Sequence, residues 1–147
     1  MEYQCRNIYR NARVTAGLTQ ERWSEVLGIS VDTVRKYESE TVLPSDEVAL
    51  RMSEVAGQTI VCYWHLLNKS RCAGAILPDV ELRELAEAVL NLLVKVDDFS
   101  KNGLEDLKRL AADGKISAEE VLSFGEDLAQ LRDVIAAAYE VEYARRE

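Results

Sequence analysis

The chain has 147 residues, 48% hydrophobic and 30% charged, with only 2 prolines and 7 glycines, a mixture too apolar for a disordered chain and sized for one domain or two small helical ones. Its formal net charge of −8 argues against a polyanionic partner for the molecule as a whole, yet residues 1–70 hold 8 Lys and Arg against 9 Asp and Glu, while 71–147 hold 10 against 17, so the acidity sits in the second half. Cys5, Cys62 and Cys72 lack CxxC spacing and stand with a single histidine, which excludes a disulfide framework or a zinc site and reads as buried reduced thiols.

Helix formers dominate and breakers are few, so the expected fold class is all-α. Residues 3–16 place Ile8, Ala12 and Val14 among Arg6, Arg10 and Arg13 and end at Gly17, giving a first helix. Thr19 then stands as an N-cap before Gln20, with Trp23, Val26 and Leu27 at helical spacing up to Gly28. Ser30 is a second N-cap, opening a short helix over 31–38 that carries Val34 and Tyr37. Two short helices joined across a glycine turn make a helix-turn-helix. Residues 39–44 read as a loop because Pro44 disfavours helix before it. Ser45 caps a fourth helix over 46–56 that stops at Gly57, and 60–68 supplies a fifth.

Residues 71–78 carry Gly74 and Pro78 and are expected to be a linker. From Asp79 a helix of about 20 residues is expected, with Leu82, Leu85, Ala86, Val89, Leu93, Val96 and Phe99 as a wide apolar stripe. A shorter helix follows with Leu104, Leu107 and Leu110, ending at Asp113 and Gly114. Ser117 with Glu120 then reads as a capping box before a last long helix holding Val121, Phe124, Leu128, Leu131, Ile135 and Ala138. The expected organisation is thus a helix-turn-helix domain over 1–70, a linker over 71–78, and an acidic helical hairpin or three-helix oligomerisation domain over 79–147.

Residues 13–44, RVTAGLTQERWSEVLGISVDTVRKYESETVLP, resemble the lambda-repressor-like, Cro/repressor helix-turn-helix family, and the resemblance extends over about 3–68. It implies a five-helix DNA-binding domain of prokaryotic or phage type. Gln20 corresponds to a residue that contacts a phosphate and braces the recognition helix. Val31, Asp32, Thr33 and Lys36 correspond to positions at base edges or the adjoining backbone in the major groove, and the N-cap Ser30 is counted with them among the expected DNA-binding residues. Arg13 and Glu38 correspond to an ion pair inside the domain. The sequence departs from the family in having Trp23 where a leucine is usual, no glycine after Glu38, and the negative Glu40 where relatives often carry Lys or Arg.

Base-edge chemistry fits these positions on its own terms. Asp32 suits cytosine N4, Lys36 suits guanine O6 and N7, Val31 suits a thymine methyl, and Arg35 faces a phosphate. Competing signals are weak. Residues 113–120 match only the second half of a calcium loop, since Arg109 and Ala111 stand where carboxylates belong, so a capped turn is expected there. His65 lies on an apolar helix with no nucleophile or metal-ligand pattern around it and reads as a core or interface histidine. No catalytic constellation, cofactor motif, metal site, signal peptide or apolar run of about 18 residues is found, so a cytoplasmic non-enzyme without cofactor or membrane span is expected.

The stripe after Leu82 exceeds what one hairpin can cover, and a second copy is the economical partner, with packing against the first domain as the alternative. The expected activity is that of a homodimeric, sequence-specific transcriptional regulator, a repressor reading a palindromic operator in double-stranded DNA. The alternative is an adaptor or anti-repressor that keeps the fold without binding DNA and offers its acidic half to a protein partner.

Overall fold

The computed structural model describes residues 7–145, which form two compact units, one ending at Leu77 and the other starting at Pro78. Both are α-helical, as composition and periodicity require; the β-like feature among the described residues is an isolated bridge between Glu84 and Arg145. No helix among the described residues is long and apolar enough to cross a membrane.

The first unit contains α1 (Ile8–Thr15), α2 (Gln20–Leu27), α3 (Val31–Glu38), α4 (Asp46–Ala56), α5 (Ile60–Lys69) and α6 (Arg71–Ile76). Side-chain caps set the starts. Asn7, Thr19, Ser30 and Ser45 each have extended backbone and accept a hydrogen bond from the amide three residues on, satisfying a donor that the helix itself leaves free. Residues 3–6 of the expected first helix, and Cys5, lie outside the described residues. Gly28 ends α2 with φ +68°, a left-handed conformation that costs a residue bearing Cβ roughly 1–2 kcal/mol.

These helices close over Tyr9, Ala12, Trp23, Leu27, Val34, Met52 and Val61, with Tyr37 and Val48 packed against the cluster. Trp23, placed where a smaller leucine was usual, is fully buried in it. Across the unit a polar relay ties three helices. The Tyr9 hydroxyl lies 2.9 Å from Nδ1 of buried His65, and His65 Nε2 lies 3.0 Å from Asp46 Oδ1, which also accepts from Lys69 Nζ at 2.5 Å. The neutral tautomer with Nε2–H donating to Asp46 leaves Nδ1 free to accept from Tyr9. Hydrogen bonds from Lys69 and then His65 hold the Asp46 carboxyl below the ordinary aspartate range.

Residues 71–78, expected to be a linker, hold the helix α6. Ser70 caps it by accepting from the Ala73 amide, and Ala73 is buried in the first unit. Two of the three thiols also depart from expectation: Cys62 is half-buried and Cys72 is an exposed free cysteine on the outer side of α6.

The second unit contains α7 (Leu85–Asn102), α8 (Leu104–Asp113) and α9 (Val121–Tyr143). Helix α7 begins six residues later than the apolar pattern indicated. Residues 79–84 are non-helical, and there Arg83 is drawn into carboxylates, with Nη2 2.6 Å from Glu81, Nη1 2.6 Å from Glu87 and Nε 2.9 Å from buried Glu140, while its carbonyl accepts from the Arg145 amide at 3.1 Å. Helix α9 begins at Val121 rather than directly after Ser117. The Glu120 carboxylate does accept from the Ser117 amide at 2.9 Å, but it secures a turn that precedes the helix. Pairings of Asn91 with Glu140 and of Lys95 with Asp133 show α7 and α9 to be antiparallel, since rising numbers on one meet falling numbers on the other.

Candidate nucleic-acid interface

Helix α3 owes its orientation to a two-sided sequence. Val34 is buried in the core and Tyr37 packs against it, while Asp32, Arg35 and Lys36 are exposed and Val31 and Thr33 are half-buried. The left-handed turn at Gly28 and the cap at Ser30 set the crossing of α2 and α3. Ile29 N donates to Ser24 O at 3.0 Å across that turn. Ser30 Oγ accepts from the Thr33 amide at 3.1 Å and lies 2.8 Å from Thr33 Oγ1, so both hydroxyls are engaged in holding the N-terminus of α3.

Behind this helix a connected polar group links three of the helices. Arg13 Nε lies 2.5 Å from Glu38 Oε1, Arg13 Nη2 donates to Glu38 Oε2 at 3.1 Å, and Arg13 Nη1 donates to Leu18 O at 2.8 Å. Gln20 Nε2 donates to the same Glu38 Oε2 at 2.8 Å, while Gln20 Oε1 lies 3.4 Å from Arg35 Nε. Burial alone would raise the Glu38 carboxyl, but hydrogen bonds from Arg13 and Gln20 and the Arg13 charge outweigh it and hold the pKa below the ordinary glutamate value. The Arg13 and Glu38 side chains are 13% and 8% exposed, so this pair works in a medium far less polar than water.

The outward face is electrostatically mixed. Lys36 Nζ lies 3.6 Å from Asp32 Oδ2, a pair one helical turn apart whose side chains are 56% and 74% exposed. Such a pair is weak and readily exchanged for another partner. Glu21, in the first turn of α2, is held below the ordinary glutamate range by its own amide, then by the Thr19 hydroxyl, with a smaller contribution from Arg35. Glu40 follows α3 with φ 57°, the left-handed position where glycine is usual.

Gln20, Arg35, Glu38 and Arg13 therefore form one hydrogen-bonded group. Ser30 and Thr33 form a second at the tip of α3, and Asp32 with Lys36 a third along its exposed side. Sequence reasoning did not foresee that Gln20 would connect the buried ion pair to Arg35, because the link depends on where α2 crosses α3. Nor did it find the Tyr9–His65–Asp46 relay, whose members stand 56 and 19 residues apart. No group of His, Cys, Asp and Glu suited to a metal ion occurs among the described residues.

A protein-family model described as helix-turn-helix matches residues 10–61, the segment from α1 to the start of α5, and the C-terminal half matches no family model. Comparison with curated proteins and with solved structures gives no match.

Proposed function

Starting from a helix-turn-helix domain over residues 10–61, we propose that this chain is a sequence-specific DNA-binding transcriptional regulator, a repressor that reads a palindromic operator as a homodimer paired through its C-terminal helices. The observation that carries the reading is the exposed side of α3. It presents Asp32, Arg35 and Lys36 to solvent from a helix whose opposite side is locked into the core by Val34. A helix fits the width of the major groove, and side chains near its N-terminus reach base edges there.

In this reading Lys36 releases Asp32 and donates to guanine, Asp32 accepts from cytosine N4, and Val31 meets a thymine methyl. Ser30 and Thr33 keep the tip of α3 in shape against the backbone. Arg35 reaches a phosphate from the position that Gln20 braces, and Arg13 with Glu38 remains structural. Two copies with α3 helices about 34–36 Å apart match half-sites one DNA turn apart.

Lys36→Ala is expected to relax preference at one base pair and cost about 1–3 kcal/mol on the selected site, while Arg35→Ala weakens all sequences about equally and flattens the salt dependence by about one charge. Unchanged selected-site binding in both variants contradicts the assignment. The mixed face, with Glu21, Asp32 and Glu40 beside Arg35 and Lys36, favours one second reading: an adaptor or anti-repressor that keeps the fold and engages protein through its acidic half. Absence of binding to any duplex at low salt selects that reading.

A further inference from the structure

Two buried acceptors in the second unit have no donor. Asp127 on α9 is 4% exposed, and its Oδ2 and the Oε1 of Gln130, three residues further along, are buried without a hydrogen-bond partner. Side chains three residues apart on a helix are neighbours, so the two oxygens belong to one spot. A carboxylate oxygen and an amide oxygen can only accept. A proton on Asp127 turns one of them into a donor and serves both at once.

The surroundings favour that proton. Asp127 Oδ1 lies 3.0 Å from where a Cβ on buried Gly103 would stand, and the Phe99 ring lies 2.7 Å from the same point, so the carboxyl is packed against the junction of α7 and α8. Asp106 of α8 and Glu126 of α9 bring like charges to it. Arg109 and Glu120 line a small cavity beside it, but Arg109 pairs with Asp106 at 3.0 Å and Glu120 accepts from the Ser117 amide. The α7 lysines Lys95 and Lys101 are paired with Asp133 and Asp97. Burial first, then Asp106 and Glu126, push the Asp127 carboxyl above the ordinary aspartate range. Turning the Gln130 amide would bring an N–H to Asp127, but one neutral donor does not offset burial of a charge beside two like charges.

We propose that Asp127 is a proton-operated latch: as the neutral acid it donates to Gln130 Oε1 while α8 lies closed on α7 and α9, and loss of that proton to solvent releases α8. Helix α8 is the element that gives way because it is held least. None of its described residues is buried, Leu107 and Leu110 are half-buried, and its N-terminus has no side-chain cap. It follows Gly103 directly, so an ionised Asp127 leaves an unpartnered charge against the start of α8, repelled by Asp106 one turn in. Opening α8 admits water to that charge and gives up few apolar contacts. The direction follows from the raised carboxyl. Its stabilising contribution is complete below the unfolded value of about 4 and is lost as pH rises through the folded value, so α8 opens toward neutral pH. Glu105 and Glu120, held low by Lys108 and by the Ser117 amide, have the opposite trend.

The test is deuterium exchange at the amides of residues 104–113 in the full chain, from about pH 4 to pH 8, in wild type and in Asp127→Asn. Asparagine keeps the shape, carries no charge and offers an N–H to Gln130 at every pH. In the ratio of wild-type to variant exchange, the intrinsic pH dependence of exchange and the trends of Glu105 and Glu120 cancel. That ratio is expected near one at the acid end and to rise by up to about tenfold per pH unit, the slope of a single proton, before it levels. Gln130→Met removes the acceptor of the neutral acid and is expected to move the levelling to lower pH. A ratio that does not change with pH overturns the proposal. So does faster exchange in Asp127→Asn across the range, the result for a charged Asp127 served by a turned Gln130 amide, and so does levelling that stays in place in Gln130→Met.

Discussion

Replacing Glu38 by alanine removes the acceptor at the centre of the group behind α3. Three hydrogen bonds are lost, two from Arg13 and one from Gln20, and a guanidinium whose side chain is 13% exposed keeps only its bond to the Leu18 carbonyl. Stranding one member of a buried ion pair typically costs about 3–5 kcal/mol. The retained carbonyl bond and the residual exposure of the Arg13 side chain lower that to about 2–3 kcal/mol. In the double variant Arg13→Met, Glu38→Leu no charge is stranded, and the expected net loss is under about 1 kcal/mol. Urea unfolding of the full chain followed by circular dichroism, with the fluorescence of Trp23 and Trp64, both in the first unit, reporting that unit, gives both numbers. If the double variant is as unstable as Glu38→Ala, the cost lies in packing or helix propensity and the stranded-charge argument is wrong.

Three further perturbations test other parts of the account. Glu40→Gly relieves a left-handed φ of 57° and is expected to stabilise the first unit by about 1 kcal/mol, read as a higher urea midpoint at unchanged slope; a lower midpoint contradicts the strain at that turn. Trp23→Ala empties the largest buried side chain of the core and is expected to cost about 3–5 kcal/mol, enough to unfold the first unit by the loss of its thermal transition. The carboxyls of Glu38 and Asp46 both titrate below their ordinary values when folded, so their contribution is complete above the unfolded pKa near 4 and is lost as pH falls through the folded values. Stability measured down from pH 6 should therefore drop in the acid range, with a shallower drop in Asp46→Asn; an unchanged slope in that variant removes Asp46 from the explanation.

The first unit was legible because its punctuation is local. Thr19, Ser30 and Ser45 each satisfy an amide three residues away, and Gly28 stands where the chain turns left-handed, so helix limits follow from neighbours in sequence. The second unit was less legible because its limits depend on distant partners. Arg83 is held by Glu140, 57 residues away, which keeps 79–84 out of the helix although Leu82 continues the apolar period. The stripe itself was visible, but not the side on which it lies, since Ala88 and Asn91 rather than Val89 and Leu93 turn toward α9. Residues 71–78 misled through Gly74 and Pro78, while the cap at Ser70 that makes α6 is a single hydroxyl. At the candidate interface the exposed side of α3 could be read from Val34 and Tyr37 alone, whereas the engagement of Gln20 by Glu38 and Arg35 needed the crossing of two helices.

The most direct measurement of whether α3 reads DNA is selection of the full chain against a random duplex pool at low salt, followed by affinity of Lys36→Ala for the enriched site. An inverted repeat with half-site centres about 10 bp apart is expected, weakened by Lys36→Ala at one base pair in each half. A pool that enriches no sequence, or a site indifferent to Lys36, contradicts it.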